Sequence, residues 1–210
     1  MKIGLFGFPM TGKSTLFKLL TGVEVPAHAS RGEGLQGVTR VPDPRLDRLS
    51  SMYSPKKHTP ATVEYIDLAG IEKGQAAKTL PLDRLRTADA LAHVVRHFED
   101  DAIPHSEGAI DPARDVATLE TEFIVAEKRR EKLELMVRKT NSAEDKKELE
   151  LFCRVIAELE QGTPLRNLDF NDDELRCLRG YTFLSMKPLL VVVNVSEADA
   201  ARVNQGPEAF

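Results

Sequence analysis

Apolar residues along the chain fall into two kinds of run. Short continuous runs occur at Lys2–Phe6 (KIGLF), Ala61–Ile66 (ATVEYI), Ala90–Val95 and Pro188–Asn194 (PLLVVVN). Runs of this length predict strands, with those at Lys2–Phe6 and Ala90–Val95 buried. Between them, Lys13–Leu20 (KSTLFKLL), Arg45–Met52 and Leu82–Arg86 carry helical spacing, with Gly22 ending the first. Strands alternating with helices predict an α/β domain with a mostly parallel sheet. The stretch Val23–Arg40 is glycine-bearing and weakly periodic, and predicts a loop.

From Asp111 onwards the periodicity changes. Leu119, Phe123, Ala126, Leu133 and Val137 follow a three-four spacing broken only by Arg130, and Leu149, Phe152, Ile156 and Leu159 repeat it. Ser142 with Asp145 resembles a capping box, and Gly162 followed by Pro164 ends the second segment. The pattern predicts an antiparallel helical hairpin inserted at 112–162, between a first nucleotide-domain part at 1–111 and its continuation at 163–210. A short helix capped by Asn171 or Asp172 and stopped by Gly180 follows. A domain of this kind ordinarily continues past its last strand here with one more strand and helix, so the expectation is a domain cut short.

Composition narrows the functional classes. A net charge of −4 argues against wrapping nucleic acid by charge alone, and 6% aromatic residues with no Trp argue against a base-stacking platform. Cys153 and Cys177 are too far apart in sequence for a CxxC motif, and their apolar neighbours predict reduced, packed thiols. The apolar run Leu189–Val193 is strand-sized, far short of a membrane span, and the N-terminus lacks a signal-peptide pattern. A cytoplasmic protein without a membrane partner is expected.

Three motifs carry chemistry. GFPMTGKST, Gly7 to Thr15, fits G-x-x-x-x-G-K-[ST] between a strand and a helix. Gly7 and Gly12 let the backbone bend so that N–H groups of Pro9's neighbours Met10 and Thr11, and of Gly12 to Thr15, face a phosphate chain. Lys13 brings a point charge to the outer phosphates, and Ser14 offers a hydroxyl to Mg2+. Asp67-Leu68-Ala69-Gly70 follows a strand, where the Asp approaches Mg2+ through water and the Gly N–H senses a γ-phosphate. Asn194-Val195-Ser196-Glu197 follows the last strand, where GTPases usually carry Asn-Lys-x-Asp. The longer Glu197 displaces the carboxylate that reads guanine, and Val195 offers only apolar packing.

With these motifs in place the chain resembles the YchF/Obg-like ATPase family over nearly its whole length. The matching stretches are GKSTLF, PDPRLDRL, DLAG, DALAHVVRHFEDD (Asp89–Asp101), the helical insert and the terminal NVSE. The resemblance implies a P-loop fold, hydrolysis of ATP in preference to GTP, Mg2+ as cofactor and association with ribosomes. It also implies that His105 is the catalytic histidine, carried on a mobile polar loop at Asp100–Gly108, because Ile71 stands where many GTPases have a water-orienting Gln. The chain departs from the family at Met10-Thr11, which replace Asn-Val, and at Ser30-Arg31, where the switch threonine is expected. The basic cluster Lys128, Arg129, Arg130 and Lys132 could meet RNA phosphates, but interleaved Glu127, Glu131 and Glu134 also fit a solvated helix face. His93 reads as a satisfied core residue, and His28 and His58 as loop residues. The rival readings are a GTP-specific switch, a non-hydrolysing nucleotide-gated binding module and, more distantly, a small-molecule kinase.

Overall fold

The computed structural model describes residues 1–25, 34–68, 70, 82–121, 123–124 and 143–201. Within them one sheet holds five strands: β1 (Lys2–Phe6), β2 (Leu35–Arg40), β3 (Thr62–Asp67), β4 (Ala90–His97) and β5 (Leu189–Val195). Their order is β2-β3-β1-β4-β5. Every neighbouring pair is parallel except β2 and β3. Because β1 lies between β3 and β4, the strand order reverses at its carboxyl end. Open α/β sheets bind ligands at such a point.

Four strands match the apolar runs; β2 does not, and instead corrects the loop expected at Val23–Arg40. Its inward positions are Leu35, Gly37 and Thr39, so only one of the three is strongly apolar. A side chain at Gly37 would meet Thr21 of the first helix at 2.7 Å, which explains the glycine and the lost hydrophobic signal. An edge strand with a glycine at the centre of its buried face leaves little periodicity to read.

Residues alternate across the sheet, as strand geometry requires. On one face Leu5 packs with Ala92 and with Phe17 of α1 (Lys13–Thr21). On the other, Phe6 joins Phe8, Ile66, Leu91, Leu119 and Phe123. The helix α2 (Pro44–Tyr53) starts where Asp43 accepts a hydrogen bond from the Arg45 N–H at 3.0 Å, with Pro44 at its first position. A short α3 (Leu82–Arg86) precedes β4.

The helix at 112–121, here α4, does not belong to the insert alone. Leu119 and the likewise helical Phe123 lie in the main core beside Phe6 and Phe8. Ile124 instead joins Leu151, Phe152, Val155 and Leu159 of α5 (Ala143–Glu160) in a second cluster. The α5 seam therefore runs through Val155, while Ile156 is only half-buried. Ala126, Leu133, Val137 and Ser142 lie outside the described residues. Gly162, at φ 82, follows the helix end as expected.

A single 3-10 turn, Leu165–Asn167, leads to α6 (Asp172–Arg179). Its cap is Asn171, which forms a reciprocal capping box with Glu174. A final short α7 (Glu197–Ala200) is capped by Ser196. Neither cysteine forms a disulfide; Cys177 packs partly against the second cluster, but Cys153 faces solvent, contrary to the expectation of a packed thiol. Among the described residues no helix is long and apolar enough to cross a membrane.

Candidate nucleotide site

The loop between β1 and α1 owes its shape to backbone that only glycine tolerates. Gly7 adopts φ +148, and a Cβ there would lie 2.3 Å from the Val94 carbonyl oxygen of β4. Gly12 adopts φ +95, and its Cβ would lie 2.3 Å from the Asn194 side-chain nitrogen. Met10 sits between them at φ 61 with its side chain exposed. Asn adopts that left-handed region at lower cost than Met, so the residue departing from the family pattern occupies a strained position.

Within this loop, protein groups meet one another where a phosphate chain would lie. The Lys13 ammonium is buried and donates to the Phe8 carbonyl at 2.6 Å, and the Thr11 hydroxyl donates to the same oxygen at 3.0 Å. Burial pushes Lys13 down to about 8, partly opposed by the negative charge of Asp67. The Ser14 hydroxyl donates to Asp67 Oδ2 at 2.7 Å across the gap from α1 to β3. Burial raises Asp67 above the usual carboxylate range, against the opposing pull of the Ser14 hydrogen bond and the Lys13 charge. Asp67 Oδ1 is buried and has no hydrogen-bond partner among the described residues.

Such an orphaned carboxylate oxygen beside a serine hydroxyl fits a hard cation with oxygen ligands. No cluster of three or more His, Cys, Asp or Glu side chains suited to a metal occurs among the described residues. Mg2+ characteristically takes one or two protein oxygens and completes its shell with phosphates and water, and Ser14 with Asp67 match that demand.

Gly70 lies against the loop from the β3 side: a Cβ there would be 2.7 Å from both N and Cα of Pro9. From the opposite side, Asn194 at the end of β5 donates through Nδ2 to the Thr11 carbonyl at 3.1 Å. Register places Asp67 beside Leu5 and Asn194 beside Arg96, so both motifs approach the phosphate loop from strand ends. Val195 is half-buried, whereas Glu197 is exposed at the first position of α7. Thr15 is exposed on the first turn of α1.

The family model for "50S ribosome-binding GTPase" matches residues 2–194. The chain belongs to this family. It is 38% identical over 207 residues to the ribosome-binding ATPase YchF of Pasteurella multocida, covering 93% of this chain and 57% of that one. Similarity to the Bacillus subtilis ribosome-binding ATPase YchF is 35% over 209 residues, covering 94% and 57%. Obg-like ATPase 1 of Oryza sativa subsp. indica is 33% identical over 216 residues, covering 96% and 54%. The solved structure of the Schizosaccharomyces pombe YchF GTPase superposes with a TM-score of 0.75 at 28% identity, covering 97% of this chain and 58% of that one. The chain thus spans a little over half the length of these relatives.

The catalytic candidate His105 lies beside Phe8 of the phosphate loop. Its side chain is 2% exposed, and its ring meets the Phe8 ring edge-on at 6.2 Å between centroids. The polar segment carrying it is held in place, because buried Arg96 donates to the carbonyls of Phe98 and Ile103 at 2.8 Å each. A tight turn closed by the Gly108 N–H on the His105 carbonyl at 3.1 Å completes it. His93 is buried as expected, stacked on Phe6 at 4.5 Å, but its Nε2 finds no partner among the described residues. Burial first and the Lys13 charge second push His93 down to about 3, so it stays neutral at any physiological pH. His58, in its loop, contacts Ser50 at 2.7 Å.

Sequence reasoning missed Phe8 and Asp115. Phe8 acts through its carbonyl, which every residue type carries, so nothing in the residue type marked it. Asp115 pairs with His105 but sits in D-P-A-R-D, which reads as an ordinary helix start. His28, Ser30, Arg31, Ile71 and the cluster from Lys128 to Lys132 lie outside the described residues.

Proposed function

We propose that the chain is the nucleotide-binding part of an ATP-hydrolysing molecular switch that works with the ribosome in the cytoplasm. The relatives named ribosome-binding ATPase support the substrate and the partner. The observation that carries the reading is the phosphate loop itself, with Lys13 buried inside it and Ser14 hydrogen-bonded to Asp67.

Lys13 moves from the Phe8 carbonyl to the β- and γ-phosphates, exchanging a neutral acceptor for charged ones. The amide groups from Met10 to Thr15 and the N-terminus of α1 face the phosphate oxygens. Ser14 and Asp67 hold Mg2+, which when bound neutralises charge on the phosphates. Gly70, whose closeness to Pro9 supports the reading, reports the γ-phosphate. Asn194 keeps the base-recognition strand tied to the loop, with Val195 and Glu197 on the base side. His105 is the group that orients or deprotonates the attacking water once it leaves its buried site. The helical insert at 112–162 presents its basic residues to ribosomal RNA, and the nucleotide-binding parts are 1–111 and 163–210.

A GTP-hydrolysing switch is the second reading, favoured by the GTPase names of the family model and of the fission-yeast structure. Turnover of ATP and GTP by the chain and by His105→Ala separates these readings. The proposal expects ATP turnover at least equal to GTP turnover and its loss in the variant. Turnover of GTP alone supports the second reading, and turnover of neither supports a binding module.

A further inference from the structure

The imidazole of His105 has a close polar neighbour at each nitrogen but a hydrogen bond at only one. Its Nδ1 accepts the Glu107 N–H at 3.2 Å. A ring nitrogen that accepts carries no proton, so the ring's proton is on Nε2. That nitrogen faces Asp115 Oδ2 at 3.0 Å, with the two side chains 2% and 0% exposed. The approach misses hydrogen-bond geometry, and neither atom has a hydrogen-bond partner among the described residues. Asp115 Oδ1 is fixed separately by the Arg114 guanidinium at 2.8 and 3.2 Å.

Two consequences follow from this arrangement. A histidine whose acceptor nitrogen is filled by a backbone N–H cannot take a proton from water in this position. A contact between two buried polar atoms that misses hydrogen-bond geometry also gives up most of its strength, so it restrains the ring without trapping it. The ring also meets Phe8, whose carbonyl carries the Lys13 and Thr11 hydrogen bonds. When the phosphates draw Lys13 away, that carbonyl loses a charged donor and the residue covering His105 is freed.

We propose that Asp115 is a positioning residue that holds His105 in an inactive resting place and thereby sets the basal rate of hydrolysis. The proposal rests on the reading of His105 as the hydrolytic group. Release exposes Nδ1 as the acceptor that a water needs, and it is the Phe8 contact that makes release respond to the occupied phosphate loop. Arg114 keeps the carboxylate of Asp115 in place after the ring has gone, so His105 can return.

The test uses the full chain and two readouts. Nucleotide-free protein is treated with diethyl pyrocarbonate, and modification at each histidine is followed by mass spectrometry. ATP turnover is measured in parallel. In the unaltered protein, His105 should react more slowly than His58, which is more exposed. In Asp115→Asn, which keeps the shape and the Arg114 contact, His105 should react faster by about tenfold, and kcat should rise by about threefold with KM unchanged. Asp115→Ala should move both readouts further in the same direction, which keeps the test open if one variant folds poorly. Unchanged His105 reactivity in both folded variants would overturn the proposal. So would faster modification with a lower kcat, which would make Asp115 a partner in the chemistry. Absence of ATP turnover in the unaltered protein together with released His105 in the variants would instead refute the hydrolytic reading while leaving the restraint established.

Discussion

The two ends of the cleft are built in different ways. At the phosphate end, Lys13, Thr11 and Ser14 are already engaged, with the Phe8 carbonyl and the Asp67 carboxylate as their partners. At the base end, Asn194 reaches back to the loop, Ser196 caps its own short helix, and Glu197 is exposed. On the proposed reading, the first end holds its ligand-binding groups in place through substitutes that a phosphate chain would displace. Among the described residues the second end shows no such pre-set partner for a base. Affinity should therefore come from the phosphates, and the choice of base should be a small increment added to it. Pre-set donors in a buried loop cost little to reorganise on binding.

The most severe way to break this contrast is at Gly12, where both ends meet. Gly12→Val places a branched side chain at a left-handed position, with its Cβ 2.3 Å from the Asn194 nitrogen. The loop must shift and the tie to β5 must break. Triphosphate binding should weaken by about a hundredfold or more, roughly 3 kcal/mol. Calorimetric titration of the folded variant checks this, and near-normal affinity would show that the loop does not depend on the Asn194 tie.

A finer test addresses the base end alone. Glu197→Asp together with Val195→Lys restores the side chains that ordinarily read guanine. The shift towards GTP should be about 1–3 kcal/mol, the worth of one good bidentate base contact. Competition between ATP and GTP for the unaltered chain and the double variant measures it. If the unaltered chain prefers GTP by tenfold or more, about 1.4 kcal/mol, then Glu197 does not weaken guanine recognition and the GTPase reading gains.

The phosphate end was legible in the sequence because its chemistry fixes residue types at fixed spacing. Only glycine fits the positions of Gly7 and Gly12, and a cation must follow. The parallel strands were legible because they read as continuous apolar runs: β4 is buried along both faces, and β5 keeps such a run although Leu190, Val191 and Val193 are exposed at the sheet edge. β2 was not, since Gly37 removes the apolar residue from the centre of its buried face to admit Thr21. The helices at 112–121 and Ala143–Glu160 were legible, but not the core that each joins. Leu119 and Phe123 belong to the main core, a fact set by tertiary packing and invisible to spacing. The confinement of His105 was hidden for a similar reason. Arg96 organises its loop through backbone carbonyls, and the Asp115 carboxylate reaches it from a helix start ten residues later.

Titration of Mg-ATP into the chain and into Lys13→Ala, at a pH slightly above 8 and in two buffers of different ionisation enthalpy, tests the central claim most directly. Burial holds Lys13 at about 8 in the empty loop, below its ordinary 10.5. At that pH much of it is neutral when free, and a bound triphosphate restores the charged form. Binding must then take up a fraction of a proton, and the uptake must fade towards pH 6, where Lys13 is charged in both states. The account predicts binding with proton uptake in the unaltered chain and no detectable binding in Lys13→Ala. Equal affinity in the two proteins, with no difference between buffers, would contradict it.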